Sequence, residues 1–277
     1  MRTPITYYGG KQKMAKKIVS MIPAHKIYCE PFFGGGAVFF EKKPSKVEVI
    51  NDTNDQLITF YRALHEDPDA VINAIKNTPH SESLHKLARE IYNKRTDYDK
   101  VAMAWAVWWM TNGSFTGSPH GSWKWCNGSA GSNTAIVLAR KRNSLSKAVY
   151  DRIKFAQISC RDAARCINDR NTEDAFFYLD PPYPGANQKH YGGYSFKDLS
   201  KLLELLGQIK GKFILSNYWS QTLRYHVIKN GWHTESITSK MVISNMKRQD
   251  IVKEKTEWLI MNFVPVIENS EQQKLYK

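Results

Sequence analysis

The chain contains an uninterrupted apolar run at residues 175–179, Ala-Phe-Phe-Tyr-Leu, followed at once by Asp180-Pro181-Pro182-Tyr183. A short run that is apolar at every position predicts a strand buried on both faces, as in a parallel sheet covered by helices. The two prolines end such a strand, because neither can donate a hydrogen bond to the ladder and each restricts its own φ. The sequence therefore predicts an α/β fold with an acid, a rigid turn and an aromatic ring at the carboxyl end of a strand, where ligands bind in open α/β sheets.

The side chains that follow this strand suit a planar ring with an exocyclic amine. Asp180 and the carbonyl of Pro181 can accept the two amine hydrogens, and Tyr183 offers a face for stacking. The alternative is a rigid surface turn, since Asp and Pro are common turn residues. The choice between the two interpretations depends on the rest of the chain.

The charge balance favours a polyanionic partner. Of 277 residues, 42% are hydrophobic and 24% are charged, which is ordinary for one large domain or for a core domain with an insertion. The 40 Lys and Arg residues exceed the 26 Asp and Glu residues, giving a formal charge of +14. Such a surface favours nucleic acid first, although charge alone is equally compatible with a merely basic protein.

Cysteine use and hydropathy predict a cytoplasmic protein without a metal site or a membrane segment. The four cysteines form no CxxC pair and no zinc-ligand spacing, so we expect reduced thiols. Polar residues interrupt every apolar run before Phe39, so we expect no signal peptide. No stretch approaches the roughly 18 apolar residues of a membrane span.

A strand, a glycine turn and a helix are predicted near the N-terminus. The strand ends at Glu30, Gly34 to Gly36 allow a tight turn close to a ligand, and the apolar residues from Ala37 begin the helix. This pattern is that of a nucleotide cradle, but it lacks the GxGxxG fingerprint, which disfavours NAD.

An acid also follows the next predicted strand, at residues 46–50. Asp52 stands at about the 20-residue spacing from the glycine turn that is typical of a ribose-binding acid. The alternative is that Asp52 or Thr53 caps the helix that begins near Asp55, and we expect one of the four polar residues at 51–54 to provide this cap.

The α/β rhythm is interrupted from about residue 66, which predicts an insertion. Helices are expected at residues 70–75, 84–92 and 101–110. The last of these carries three tryptophans at helical spacing, which we interpret as core, with a base-stacking platform as the less favoured alternative.

The second half of the insertion has the composition of a DNA-reading unit. Residues 111–125 form a predicted loop rich in glycine, hydroxyl and aromatic side chains, and Arg140-Lys141-Arg142 follows in a predicted helix with Arg152 further on. Such side chains can donate to phosphates or base edges. The alternative is an ordinary solvated helix face.

The α/β rhythm returns after the insertion. We expect strands at residues 153–159, 212–216, 232–238 and 257–264. Helices are expected at 162–167 and 221–229, and a further helix begins with a capping box at Ser195 and ends at Gly211. A basic loop is predicted at 247–255 and a frayed end at 268–277.

Taken in order, these motifs resemble the Dam-type DNA adenine N6-methyltransferases of the D12 class, or α group. The shared order is Gly-Gly-Lys at the start, Glu-Pro-Phe-x-Gly-x-Gly, Asn-Asp-x-Asn, an insertion and Asp-Pro-Pro-Tyr. The resemblance implies a Rossmann-like class I methyltransferase sheet with helices on both faces, formed by residues 1–65 and 150–277, and an inserted, mainly helical target-recognition domain at residues 66–149.

The resemblance also implies a function and a set of site residues. The expected activity is methyl transfer from S-adenosyl-L-methionine to N6 of an adenine flipped out of double-stranded DNA, by a monomer. The implied residues are, for catalysis, Asp180, Pro181, Pro182 and Tyr183; for the cofactor, Tyr7, Lys11, Glu30, Phe32, Gly34, Gly36, Asp52 and Asp180; and for DNA, Asn112, Ser114, Thr116, His120, Lys124, Arg140, Lys141, Arg142, Lys247 and Arg248.

The recognition loop departs from the family pattern. Family members carry a run resembling N-R-x-G-F-N-G-x-x-R, and His120 stands about where an arginine would read guanine. Because His cannot form the same two-pronged contact, we expect a target other than GATC or a relaxed specificity. The remaining alternatives are another acceptor, namely cytosine N4, RNA adenine or a protein amide, and a catalytically silent DNA-binding module.

Overall fold

The structure of the protein is a computed structural model that describes residues 1–7, 9–94, 97–128, 133–185, 193–244 and 250–266. Within these residues a seven-stranded mixed sheet carries helices on both faces. The strands are β1 (Ile27–Glu30), β2 (Val47–Asn51), β3 (Gln157–Ser159), β4 (Ala175–Leu179), β5 (Lys212–Asn217), β6 (His233–Ser244) and β7 (Asp250–Met261). The helices are α1 (Ala15–Met21), α2 (Ala37–Glu41), α3 (Asp55–Glu66), α4 (Pro68–Lys76), α5 (Glu82–Asn93), α6 (Lys100–Gly113), α7 (Thr134–Ser144), α8 (Lys147–Ile153), α9 (Ala163–Asn168), α10 (Phe196–Leu206) and α11 (Gln221–Asn230).

The strand order places a crevice beside the predicted site. The order is β3-β2-β1-β4-β5-β7-β6, with β1 to β5 parallel and β7 antiparallel to both of its neighbours. The chain winds outwards from β1 to β2 on one side and from β4 to β5 on the other, so the winding reverses between β1 and β4. Ligands bind at such a reversal in open α/β sheets. Glu30 ends β1 and Asp180 directly follows β4, so these two acids flank the crevice.

Strand β4 is buried on both faces, as predicted. Phe176 and Phe177 are both fully buried, and they point to opposite faces because successive side chains of a strand alternate. Phe176 belongs to one apolar cluster with Phe39, and Phe177 belongs to another with Leu203 of α10. The predicted α/β fold with helices on both faces is therefore confirmed.

The inserted segment is helical and packs on the core of the sheet. Trp108 and Trp109 of α6 are fully buried and Trp105 is 8% exposed, which confirms the prediction that these rings are core. They share one apolar cluster with Ile50 of β2 and Phe60 of α3. Whether residues 66–149 form a domain of their own stays a prediction. In the described ranges, no helix has both the length and the apolar character needed to cross a membrane.

The strand predicted at residues 153–159 is shorter than expected. Strand β3 begins at Gln157, whereas Ile153 is the last residue of α8 and is fully buried there. A turn follows, in which the Ala156 amide donates to the Ile153 carbonyl at 2.8 Å, and Phe155 is 86% exposed. The alternation of Ile153 and Phe155 with polar residues resembled a strand. Ile153 instead packs in the core from the end of α8, and Phe155 lies at the surface.

Helix α10 begins as predicted and ends earlier than predicted. The capping box at Ser195 and Asp198 is present, but the helix ends at Leu206 with Gly207 as its C-cap. Gly211, which was predicted to end this helix, instead precedes β5. A Cβ on Gly211 would lie 2.7 Å from the Ala175 carbonyl oxygen, so glycine lets the chain pass close to the start of β4.

The basic loop predicted at residues 247–255 is largely strand. β6 and β7 pair in register from His233 and Met261 to Ser244 and Asp250, so Lys255 lies on β7. The hairpin extends past the sheet, since β5 pairs only with residues 258–261 of β7 among the described residues. The charged residues of this two-stranded extension were the reason for predicting a loop. Lys247 and Arg248 lie outside the described residues.

A substitution in the glycine turn tests the close packing at the start of α2. Gly36 has φ of +66°, and a Cβ there would lie 2.4 Å from the Phe33 ring, which is held between Phe39 and Tyr61. We expect Gly36→Ala to lower the free energy of unfolding by about 3 kcal/mol, from left-handed strain plus overpacking. Gly231→Ala is the matched control, because its φ is +63° and nothing lies within 4 Å of the added Cβ.

We expect Gly231→Ala to lower the free energy of unfolding by only about 1–2 kcal/mol, which is the cost of the left-handed backbone conformation alone. Urea unfolding of the two variants measures the difference. Equal losses would show that Phe33 yields freely to the added methyl group.

Candidate active site

The glycine turn between β1 and α2 is held by Asp52 and covered by Tyr7. Asp52 Oδ2 accepts from the Gly34 amide at 2.9 Å, and Asp52 Oδ1 accepts from the Asn54 amide at 2.9 Å. A Cβ on Gly34, whose φ is +50°, would lie 2.9 Å from the Tyr7 ring, so the ring packs directly on the backbone. Burial raises the pKa of Asp52, although the backbone hydrogen bonds oppose the shift.

The cap of α3 is one of the four polar residues at 51–54, as expected, but it is neither Asp52 nor Thr53. Asn54 Oδ1 accepts from the backbone amides of Gln56 and Leu57, so Asn54 caps the helix. The suggestion that Asp52 or Thr53 is the cap is therefore wrong. The Asp52 carboxylate faces the glycine turn instead.

A cavity of about 950 Å³ lies over the crevice between β1 and β4. Asp180 and Pro182 line it, whereas Pro181 is buried. All the residues expected to hold the cofactor lie along its wall, namely Tyr7, Lys11, Glu30, Phe32, Gly34, Gly36, Asp52 and Asp180.

The sequence analysis missed part of the cavity wall. Asp162 and Ala163 line it at the start of α9, and Tyr194 and Lys201 line it at α10. Asp162 caps α9 through the amides of Ala164 and Arg165. A signal for Asp162 was present, because it follows β3 as Asp52 follows β2 and Asp180 follows β4.

Asp180 is engaged on both of its oxygens. Its Oδ2 accepts from the Lys11 ammonium at 2.8 Å, and its Oδ1 accepts from the Tyr183 hydroxyl at 3.0 Å. Lys11 also donates to the Gly9 carbonyl at 2.9 Å and is 5% exposed. Burial raises the pKa of Asp180, although the Lys11 charge opposes the shift. The N-terminal segment thus supplies the counter-charge for the acid at the end of β4.

Glu257 of β7 completes this cluster, and the sequence analysis did not single it out. Its Oε2 lies 3.5 Å from the Lys11 ammonium and accepts from the Tyr183 hydroxyl at 3.3 Å, and its Oε1 pairs with Lys255 at 2.9 Å. Burial acts to raise the pKa of Glu257, but the Lys11 and Lys255 charges and the Tyr183 hydroxyl hold it below its usual range. The only sequence signal for Glu257 was its position as an acid directly before the apolar residues at the end of β7.

The Tyr183 ring packs among other site residues. Its centroid lies 4.6 Å from that of Tyr218, edge to face, and 5.0 Å from the Lys11 ammonium. Burial raises the pKa of Tyr183 well above its usual range, so its hydroxyl keeps its proton and donates.

Glu30 is a buried acid on the opposite side of the crevice from Asp180. It is 1% exposed, and its Oε1 accepts from the Tyr28 hydroxyl at 2.5 Å. Burial raises the pKa of Glu30 to about 8, although the Tyr28 hydrogen bond and the Lys42 charge oppose the shift. Glu30 is therefore largely protonated near neutral pH.

Several residues expected to bind DNA are paired or buried within the protein. Asn112 accepts from the Thr6 hydroxyl at 2.9 Å and donates to the Trp108 carbonyl at 3.0 Å. Ser114 is 1% exposed, and Arg142 donates to the Thr78 carbonyl. These contacts stabilise the inserted segment, and a role in DNA binding stays a prediction for all three.

Arg152, which was expected on a basic DNA-facing helix, is also turned inwards. Its guanidinium donates to Glu48 at 2.9 Å and to the Phe39 carbonyl at 2.8 Å. Its side chain is 7% exposed. Arg152 therefore neutralises a buried acid, and the idea that it presents its charge to DNA is wrong.

Other predicted DNA contacts lie at the surface. His120 and Arg140 are exposed, and Lys124 and Lys141 are half-buried. Lys141 donates to the Thr6 hydroxyl at 2.6 Å, and burial, reinforced by the Lys124 charge, lowers the pKa of Lys141 to about 8. His120 also lines the cavity, so the loop at residues 111–125 that was predicted to read DNA forms part of its wall. The Thr116 side chain, Lys247 and Arg248 lie outside the described part of the chain.

Comparisons with known proteins identify relatives of the chain. The model of a family described as D12 class N6 adenine-specific DNA methyltransferase matches residues 7–107 and 128–246. A type II methyltransferase of Lactococcus lactis subsp. cremoris is 27% identical over 246 residues, which cover 80% of this chain and 82% of that protein. A type II methyltransferase of Methanocaldococcus jannaschii is 24% identical over 300 residues, 94% of this chain and 98% of that protein. A DNA N-6-adenine-methyltransferase of Escherichia phage P1 is 24% identical over 256 residues, 88% of this chain and 33% of that protein.

The pKa of Glu30 predicts a pH dependence of stability. In the unfolded chain Glu30 loses its proton near about pH 4.3, whereas in the folded protein it keeps the proton up to about pH 8. The folded state therefore binds more protons in this interval, and Glu30 makes the free energy of unfolding fall as the pH rises through it. We expect Glu30→Gln to remove this contribution, so the variant gains stability relative to the wild type by up to ~1.4 kcal/mol per pH unit.

Urea unfolding of both proteins between about pH 5 and about pH 8 measures the effect. Glu173→Gln is the control, because Glu173 is exposed. Parallel curves for the wild type and Glu30→Gln would contradict a raised pKa.

Proposed function

Because the chain belongs to the D12 class of N6 adenine-specific DNA methyltransferases, we propose that it transfers a methyl group from S-adenosyl-L-methionine directly to N6 of an adenine flipped out of duplex DNA. The observation that carries the proposal is the position of Asp180. It lies at the carboxyl end of β4, on the wall of the large cavity and within hydrogen-bond distance of Tyr183.

The cavity wall fits S-adenosyl-L-methionine. A volume of about 950 Å³ accommodates a ligand of that size, and the glycine turn brings backbone rather than side chains to the wall. Asp52 holds the turn through the Gly34 amide and also accepts from the Asn54 amide, and its carboxylate retains lone pairs for the ribose hydroxyls. Phe32 is a half-buried wall residue suited to the adenine ring.

Asp180 and the Pro181 carbonyl accept the two hydrogens of the target amine, which holds N6 in place and increases its electron density. When bound, S-adenosyl-L-methionine supplies a methyl group on a positively charged sulfur, and the carbon–sulfur bond breaks with its electron pair left on sulfur as N6 forms the new carbon–nitrogen bond. Asp180 is placed to take the proton that N6 must lose. Positioning and electrostatics supply most of the rate enhancement.

The Tyr183 ring provides the stacking surface for the flipped adenine. Lys11 lies against both Tyr183 and Asp180, so it links the stacking residue to the acid. The formal charge of +14 suits the phosphate backbone of duplex DNA, and the exposed Arg140 and His120 are our leading DNA contacts in the inserted segment. We propose that the protein acts as a monomer.

The activity is tested by incubating the protein with labelled S-adenosyl-L-methionine and unmethylated genomic DNA, then sequencing the product for methylated bases. N6-methyladenine in one short motif is the expected result, and that motif identifies the target. N6-methyladenine in many contexts would indicate relaxed reading by residues 111–125. Binding of S-adenosyl-L-methionine without DNA methylation would contradict the proposal and favour an RNA or protein acceptor.

Asp180→Ala is expected to lower the transfer rate by about 100-fold or more, because the acceptor that orients and activates N6 is removed. Duplex affinity should change by less than about threefold, since phosphate contacts dominate it. Asp174→Ala is the matched control, because Asp174 is an exposed acid that precedes the same strand. Rates come from single-turnover assays, and a normal rate for Asp180→Ala would exclude this role.

A further inference from the structure

We propose that Glu257 is a positioning residue that takes the Tyr183 hydroxyl away from Asp180 when the target amine arrives. The proposal rests on the proposed function. Glu257 lies on β7 and is not required by the methyl-transfer chemistry itself. Its role follows from the hydrogen bonds that Asp180 already accepts.

For the target amine, the conflict is that each Asp180 oxygen already accepts one hydrogen bond from the protein, which weakens it as an acceptor for a further donor. Lys11 donates to one oxygen at 2.8 Å and the Tyr183 hydroxyl donates to the other at 3.0 Å. An amine that approaches Asp180 competes with a protein donor at either oxygen, and the Tyr183 hydroxyl is the easier donor to displace, because the other oxygen is salt-bridged to a buried ammonium.

Two carboxylates among the described residues lie within hydrogen-bond distance of the Tyr183 hydroxyl, which has only one hydrogen. Its oxygen lies 3.0 Å from Asp180 Oδ1 and 3.3 Å from Glu257 Oε2, so it can donate to either carboxylate but not to both at once. A small rotation of the hydroxyl moves the hydrogen bond to Glu257. Asp180 Oδ1 then no longer shares its charge with the hydroxyl hydrogen and accepts more strongly from the amine, while the Tyr183 hydroxyl keeps a partner.

The surroundings of Glu257 favour a carboxylate that stays charged and accepts hydrogen bonds. It is 7% exposed, and Lys255 holds its other oxygen at 2.9 Å, which leaves Oε2 directed at Tyr183 and Lys11. The charges around it keep it ionised. Lys11 lies between the two acids, 2.8 Å from Asp180 and 3.5 Å from Glu257, so it balances the charge in either arrangement.

The test is a double-mutant cycle in single-turnover methyl transfer, with saturating duplex DNA and S-adenosyl-L-methionine. We expect Glu257→Gln to slow transfer by about 10-fold, because a neutral amide competes less well for the hydroxyl hydrogen, and Glu257→Leu to slow it by about 100-fold. The dissociation constant for S-adenosyl-L-methionine should change by less than about threefold in both variants, which also shows that they are folded. Glu254→Gln is the matched control, because Glu254 is an exposed acid on the same strand.

The cycle is closed with Tyr183→Phe, which keeps the stacking ring and removes the hydroxyl. Without the hydroxyl there is nothing to divert, so the cost of Glu257→Gln should shrink to about threefold or less in the Tyr183→Phe background. An undiminished cost would overturn the proposal and leave Glu257 as a partner of Lys11 alone. A normal rate for Glu257→Leu would also overturn it.

Different results would contradict the proposed function and the role of Glu257. If the wild type binds S-adenosyl-L-methionine but does not methylate adenine in duplex DNA, the proposed function fails and takes the role of Glu257 with it. If the wild type methylates adenine and the Glu257 variants match it, only the role of Glu257 is overturned.

Discussion

The contact between Lys11 and Asp180 is the interaction on which the site depends. It joins an N-terminal segment to the end of β4 across 169 residues of sequence, and both side chains are largely removed from water. A buried carboxylate without a counter-charge would take up a proton instead of accepting hydrogen bonds. The basic N-terminal segment is therefore what allows Asp180 to be an acceptor in a buried position.

The rest of the charge arrangement follows from that pair. Glu257 adds a second acid, and Lys255 adds a second cation, so that two carboxylates and two ammonium groups share a small volume around the Tyr183 hydroxyl. Balanced buried charges can exchange hydrogen bonds at little cost, since each alternative leaves every group paired. Under the proposed mechanism, such a cluster lets the Tyr183 hydroxyl change its acceptor when the target amine arrives.

The inserted segment is tied to the cavity as well as to the core. Arg89 and His85 of α5 both contact the Gly121 carbonyl, at 2.6 Å and 3.2 Å, and so hold the loop that carries His120 against the cavity wall. The same loop is expected to read DNA, so under the proposed function the surface that would select the target and the wall that would hold the cofactor share a segment. Altering this loop is therefore bound to affect both.

Local sequence determined the central elements of the fold, and only the tertiary structure decided how the charged side chains are used. The apolar run of β4, the prolines after it and the glycine turn are short-range signals, because burial on both faces and backbone restriction act within a few residues. The inward pairing of Arg152 and the place of Glu257 beside Lys11 were not predictable in this way. Their partners lie 104 and 246 residues away in sequence, and whether a charge faces solvent, DNA or another charge depends on what the fold brings next to it.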